Sequence, residues 1–457
     1  MSYFCKEVEN IPVEDIIEIL RGKNLPFYLD SGAYFKHLGR YSYFGFEPLI
    51  TFKFKNNRIV FMENGIERYI NEAPFKFFKR IIDRFRVKRK GKKFPFQGGF
   101  VGYLSYELGK YIEKLPDSRV DDYNLPEIYF ALYDVIYIYD FVEKKFFVAG
   151  YNFGENSEKK AKFFEDALKK YEAITPKFQI GKTLQSNFKK KDYENIIKIA
   201  KEYIFSGDIY QVNLSQRFHT DFSGDTYSFY KIFRKLSPAP FGAFLDYGDF
   251  QILSNSPERY LLIKNRYIET RPIKGTRKRG RDLEEDNILK KELLSSEKDK
   301  AEHLMIVDLE RNDLGRIAKF NSVKVTEFEI VETYANVHHM VSTVAAEIGS
   351  KFHIIDCIKN SYPGGSITGA PKIRSMEIID ELEPTYRSVY TGSIGYIGLD
   401  GDIDLNIAIR TAIVKDEKVF FQVGGGIVAD SNPEEEYIET IVKAESFTKT
   451  LKELSNG

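Results

Sequence analysis

Cysteine is scarce: Cys5 and Cys357 are the only two in 457 residues. They stand too far apart to suggest a metal-ligand spacing or a disulfide framework. Such usage fits a reducing compartment, so a cytoplasmic location is expected. No apolar run is long enough to cross a bilayer, and residues 1–10 lack the basic-then-apolar order of a secretion signal. Neither sign of charge is in excess, because 68 Lys and Arg against 67 Asp and Glu leave a formal +1. That balance provides no field for nucleic acid or an anionic membrane, and neither is expected as a partner. The G-x-S-x-G elbow, the H-E-x-x-H zinc signature, the P-loop and the Rossmann fingerprint are also missing.

A hydrophobic share of 43% and a charged share of 30% fit a water-soluble globular chain. The length exceeds what one compact core usually holds, which predicts two domains or one large composite. Residues 1–150 read mainly as strands, from runs such as 49–54 and 135–139 separated by glycine-rich turns such as 97–103. A Lys/Glu-rich helix is expected over 158–173. The polar stretch 175–191, with Pro176, Gly181 and a closing Lys189-Lys190-Lys191, reads as a linker. The predicted organisation is an N-terminal region over 1–175 and a second domain over 190–457.

That second domain should open with a helix capped by Asp192, carry an apolar stripe through Ile196, Ile197 and Ala200, and end at Gly207. Strands are expected at 212–218, 242–245, 251–254, 260–264, 392–398, 403–413 and 419–423. Helices are expected at 283–294, 297–317, 370–382 and 433–451. Strand runs with segregated helices predict an α+β fold with largely antiparallel sheets.

Three stretches carry chemistry. Gly424-Gly425-Gly426 follows a strand and allows close backbone approach to a ligand. Ser431 and Glu434 then fit a capping box. On the helix that follows, Glu436, Glu439 and Lys443 share one face. A second helix presents Asp299 and Glu302 in the same i, i+3 relation. A solvated face gives the same spacing. Two such helices without a His/Cys cluster also suit a hard cation such as Mg²⁺, which needs only one or two direct carboxylates. The third stretch, Tyr362-Pro363-Gly364-Gly365-Ser366-Ile367-Thr368-Gly369-Ala370-Pro371-Lys372, is a glycine-rich loop entering a helix. Thr368 is its candidate cap, and its free N–H groups could hold an anion.

These runs, with Ser256-Pro257-Glu258, Pro272-Ile273-Lys274-Gly275-Thr276-Arg277 and Glu302-His303-Leu304-Met305-Ile306-Val307-Asp308-Leu309, together resemble the chorismate-utilising enzymes. That family includes the large subunits of anthranilate synthase and aminodeoxychorismate synthase, with isochorismate and salicylate synthases. Leu29-Asp30-Ser31 and Gly39-Arg40-Tyr41-Ser42-Tyr43-Phe44-Gly45 extend the likeness into the first half. The resemblance implies two large, mostly antiparallel sheets packed face to face with helices outside. It implies Mg²⁺ held by Glu302 and Glu439, with Glu436 and Asp299 supporting; the family usually has Glu where Asp299 stands. It places chorismate against Arg410, Tyr390, Lys443, His339, Ser366 and Thr276, and against the backbone of Gly424 and Gly426. By composition alone, His339 would read as a packed core histidine.

Within the family, Lys274 and Asn213 match the aminodeoxychorismate synthases, whereas anthranilate synthases carry Ala in the loop of Lys274. Isochorismate-type enzymes place a lysine base at the position of Gln211, and glutamine cannot deprotonate water. The resemblance thus implies amination at C4 of chorismate, toward 4-aminobenzoate and folate. Lys274 would be the nucleophile and Glu258 the acid. Neither cysteine sits on a glycine-flanked elbow, so ammonia would come from a separate glutamine amidotransferase subunit. Tryptophan could bind near Leu29-Asp30-Ser31. The alternatives are an anthranilate synthase, which aminates C2 and releases pyruvate, and a non-catalytic subunit that binds chorismate or tryptophan.

Overall fold

Alternation along Val135–Asp140 sorts its side chains to two faces. Ile136 and Ile138 join a core between two sheets, while Val135 and Tyr137 join a second core beneath helices. The same sorting repeats across the computed structural model, which describes residues 2–456 except 10–11, 33–37, 89–91, 154, 169–176 and 335–336. One sheet has 13 strands and the other 12, and every ladder between named strands is antiparallel. The inter-sheet core draws Phe27, Tyr43, Ala243, Ile252 and Ile413 from one sheet and Val101, Tyr103, Ala131, Ile394 and Tyr396 from the other. Helices cover the outer faces. Thr226–Leu236 and Pro433–Asn456 pack on the 13-stranded sheet, where Phe233 and Phe447 meet at 4.7 Å between ring centroids. Pro74–Phe85 and Ile354–Ser361 pack on the other. The expected architecture of two face-to-face antiparallel sheets with outer helices is the one observed.

Both sheets take strands from both sides of residues 175–190. Phe27–Asp30 lies between Tyr41–Gly45 and Phe241–Asp246. Gly99–Leu104 lies between Ile128–Tyr133 and Ser393–Gly398. The stretch read as a linker supplies two short strands, Phe178–Ile180 and Gln185–Ser186, to the edge of Gln211–Gly224. The expected helix over 158–173 appears as Glu155–Leu168, and 169–173 lie outside the described residues.

Several local expectations change. The helix expected to start at Asp192 is Lys190–Phe205, and Lys189 stands at its cap without a side-chain bond. Thr368 does not cap the helix Lys372–Leu382; its hydroxyl donates to the carbonyls of Gly364 and Gly365. At the last helix Asn432, not Ser431, accepts from the N–H groups of Glu434 and Glu435. Ser431 instead donates to Glu436 at 2.6 Å. The strand expected over 403–413 is two, Ile403–Asn406 and Thr411–Lys415. Between them Arg410 adopts φ +50°, which a continuous strand cannot accommodate.

Candidate active site

Two pairs of strands and two helices position most of the predicted residues. Lys274 lies on Ile273–Lys278, a strand without apolar alternation. Its partner Val337–Glu347 fixes the register, setting Lys274 opposite Met340 and Thr276 opposite His339. Gln211–Gly224 pairs with Lys418–Ile427 so that Asn213 faces Gly426. The glycine run is required by crowding. A Cβ on Gly426 would stand 2.0 Å from Gln211 Nε2 and 3.5 Å from Lys274 Nζ. One on Gly425 would stand 3.3 Å from Glu436 Oε2, 3.5 Å from Glu439 Oε1 and 3.8 Å from Lys443 Nζ. Any side chain larger than hydrogen would fill the space where lysine, glutamine and the acidic helix converge.

The Lys274 nitrogen is therefore among the acidic groups rather than in solvent. Burial pulls its pKa below the ordinary lysine value, against the pull of Glu302, Glu258 and Glu439. Glu258 is 5% exposed. Burial raises its carboxyl to about 7, although the Ser366 hydroxyl, the Lys274 charge and the Ile273 N–H all favour the ionised form. A carboxyl that holds its proton more readily than an ordinary glutamate thus faces an amine that loses one more readily than an ordinary lysine.

His339 is 4% exposed; burial, with Arg410 nearby, lowers its pKa to about 3, so it is neutral. Its Nδ1 shares a 2.9 Å hydrogen bond with the Thr276 hydroxyl, while Nε2 has no partner among the described residues. Gln211 Oε1 and Asn213 Oδ1 are likewise buried without a partner. Arg410 makes no ion pair among the described residues, and burial lowers its pKa. The desolvated Arg410 cation suits an anionic group, whereas the Gln211 and Asn213 oxygens can only accept and suit donor groups, such as hydroxyls, on the same ligand. Tyr390 is buried beside Arg387, its ring centroid 6.0 Å from the guanidinium carbon. Lys443 is already engaged, donating to the Gly424 carbonyl at 2.8 Å and pairing with Glu439 at 2.6 Å.

The expected metal residues lie on two helices. Glu302 on Glu297–Gly315, with Glu436 and Glu439 on Pro433–Asn456, all feel the charge of Lys298. Burial raises the pKa of Glu302 and of Glu436, and Glu439 adds to the rise at Glu436. Burial acts the same way on Glu439, but Lys443 and its hydrogen bond outweigh it and lower that pKa. Asp299 instead receives a 3.0 Å bond from Arg277. Among the described residues no three acidic, His or Cys side chains form a closed ligand set. An oxygen-only donor set on two helices does fit a cation that keeps several waters.

Sequence reasoning missed the groups behind the loop 362–372. Lys372 donates to the carbonyls of Ser361 and Pro363, at 2.9 and 2.8 Å, and pairs with Asp313. Glu310 accepts from the Gly365 N–H at 3.1 Å. No local pattern joins Glu310 and Asp313 to a loop about 50 residues on. Cys357 lies in a helix with its thiol raised to about 12 by burial, and Cys5 lies on the strand Tyr3–Val8. Neither is placed as an activated nucleophile.

Residues 27–449 match the family described as chorismate binding enzyme. Anthranilate synthase component 1 of Aquifex aeolicus is 40% identical over 406 residues, covering 86% of this chain and 82% of that protein. Aminodeoxychorismate synthase component 1 of Bacillus subtilis is 40% identical over 422 residues, covering 91% and 90%. The crystal structure of anthranilate synthase component I from Streptococcus pneumoniae superposes with a TM-score of 0.80 at 34% identity, covering 90% of this chain and 92% of that one. With a match over nearly its whole length, and a polar anion site where the family motifs converge, this chain belongs to the chorismate binding enzyme family.

Proposed function

We propose that this protein is the chorismate-aminating component of an aminodeoxychorismate synthase. The observation that carries the reading is the Lys274 amine, desolvated between Glu258 and Glu302 and within reach of Gly426. Arg410, with the backbone at Gly424 and Gly426, would receive the substrate carboxylates. Lys274 Nζ would attack C2 as both ring double bonds shift along the conjugated diene and the C4–O bond breaks. Glu258 would give its proton to the departing hydroxyl, which leaves as water. Ammonia would then bond to C4, both double bonds would return to their original places and the C2–N bond would break, freeing the lysine. Bound Mg²⁺, held by Glu302 and Glu439 with Glu436 behind them, would neutralise a substrate carboxylate. Gln211 provides no base for water, so hydroxylation is disfavoured.

Ammonia would come from a separate glutamine amidotransferase subunit. A cavity of about 610 Å³, lined by Leu29, Ser31, Tyr43, Phe241 and Tyr396 among others, suits tryptophan in size and aromatic lining.

The competing reading is anthranilate synthase component I, because relatives of both names reach 40% identity. Incubation of the pure protein with chorismate, Mg²⁺ and ammonium decides between them by mass spectrometry. 4-Amino-4-deoxychorismate without pyruvate is the expected product. Anthranilate with stoichiometric pyruvate would overturn the proposal.

A further inference from the structure

Arg387 heads the fully buried side chains by volume, with 0% exposure. Its guanidinium grips Glu383 through Nε at 2.8 Å and through a terminal nitrogen at 2.7 Å. That second nitrogen also donates to the Asn213 carbonyl at 2.7 Å, and the other to the Ile367 carbonyl at 3.1 Å. Glu383 in turn accepts from the N–H and hydroxyl of Ser215, at 2.8 and 2.7 Å. The Arg387 N–H donates to Glu107 at 2.8 Å, and the Tyr106 ring lies 4.7 Å from the guanidinium carbon. None of these contacts reaches the substrate site directly.

Asn213 and Ile367 are nevertheless the backs of two walls of that site. Asn213 lies opposite Gly426 in the ladder, and its buried Oδ1 has no partner among the described residues. Ile367 follows Ser366, whose hydroxyl bonds Glu258, and precedes Thr368, whose carbonyl accepts from the Asn213 N–H at 2.8 Å. Three residues beyond Arg387 comes Tyr390, whose N–H returns to the Arg387 carbonyl at 3.1 Å. One side chain thus spans a strand, a loop and a turn that share no covalent neighbourhood. Only a planar fork of several donors reaches these acceptors together; an ammonium at one point cannot.

We propose that Arg387 is a positioning residue that sets the separation of Asn213 and Ser366 and so the shape of the substrate site. The proposal rests on the chorismate reading. Arg119 provides the comparison. It is buried on the same carboxylates, at 3.2 Å from Glu107, 3.1 Å from Asp380 and 3.9 Å from Glu383, but bonds neither Asn213 nor Ile367.

The test measures steady-state kinetics with chorismate, thermal unfolding and hydrogen exchange for wild type, Arg387→Lys and Arg119→Gln. Arg387→Lys is expected to raise the KM for chorismate on the order of tenfold, because two buried carbonyls lose their donor. It should speed exchange in peptides covering 211–215 and 363–370. It should also move the Glu258 limb of the pH profile to higher pH, because a displaced Ser366 no longer favours the carboxylate. Arg119→Gln is expected to lower the Tm with KM unchanged. Equal KM values in Arg387→Lys and wild type, or equal KM rises in both variants, overturn the positioning role. If Arg387→Lys does not accumulate, Glu383→Gln loosens the same grip and is expected to raise KM; an unchanged KM there overturns the role too. Failure of wild type to bind chorismate at all would refute the underlying reading and is seen before any variant is compared.

Discussion

Replacing Glu258 by glutamine should weaken catalysis and stabilise the fold, and the second effect should depend on pH. Burial raises the Glu258 carboxyl from 4.5 to about 7. At about 1.36 kcal/mol per unit, the ionised form costs the folded protein about 3 kcal/mol relative to the unfolded chain. A carboxyl raised on folding binds more protons in the native state between those two values. Stability is therefore lost as pH climbs from about 4.5 to 7 and stays low above that. Integrated, the loss is about 1 kcal/mol at pH 5 and about 3 kcal/mol at pH 8. Glu258→Gln removes the titration, so its Tm advantage over wild type should be small at pH 5 and larger at pH 8. The same shift serves the chemistry. An ordinary glutamate holds its proton about 0.3% of the time at pH 7, whereas one with a pKa near 7 holds it about half the time. The variant should lose roughly 10²–10⁴ in kcat and lose the alkaline fall of the rate profile. A Tm change identical at pH 5 and pH 8, or an alkaline limb that persists in the variant, would refute the assignment.

Lys274→Ala should reduce C4 amination by roughly 10³ or more, and wild type held with chorismate but without ammonia should show a covalent adduct on the peptide bearing Lys274. Turnover that survives the substitution would exclude the covalent route. Calorimetric titration of metal-stripped protein with Mg²⁺ should give at least ~10-fold weaker binding for Glu302→Gln and Glu439→Gln, but a smaller effect for Asp299→Ala, which is already bonded to Arg277. Equal losses in all three would mean that Asp299 turns to the metal. The chain contains no tryptophan, so the emission of added tryptophan reports only the ligand. A rise in its anisotropy with protein, abolished by Ser31→Phe, which fills the cavity without adding an indole, is the expected sign of binding; no rise excludes the site.

The acidic helices and the triple glycine were legible because their information is local. Glu436, Glu439 and Lys443 fall on one face by helical period alone, and a glycine run after a strand signals close approach. Lys274 was identified by its motif but not recognised as part of a strand, because Ile273–Lys278 has no apolar alternation and is held in register by Val337–Glu347. His339 shows why type and burial alone mislead. It is packed like a core residue, yet its Nε2 has no partner among the described residues. The break at Arg410 and the cap at Asn432 depend on single backbone torsions and side-chain choices that an apolar pattern does not encode. Arg387 and Glu383 left no trace because their acceptors, Asn213 and Ile367, lie far from them in the chain.

The interleaving of the sheets bears on how the chain acquires its structure during synthesis. The strand Phe27–Asp30 waits for Phe241–Asp246, and Gly99–Leu104 waits for Ser393–Gly398, so each leaves an apolar edge unpaired until a partner about 200 to 300 residues later has been made. Emerging from the ribosome, the leading part cannot close its sheets by itself and exposes surface prone to aggregation. Completion of this enzyme is therefore largely a late, all-chain event, and a truncated product ending before Phe241 would be a substrate for chaperones and proteases rather than a smaller working protein.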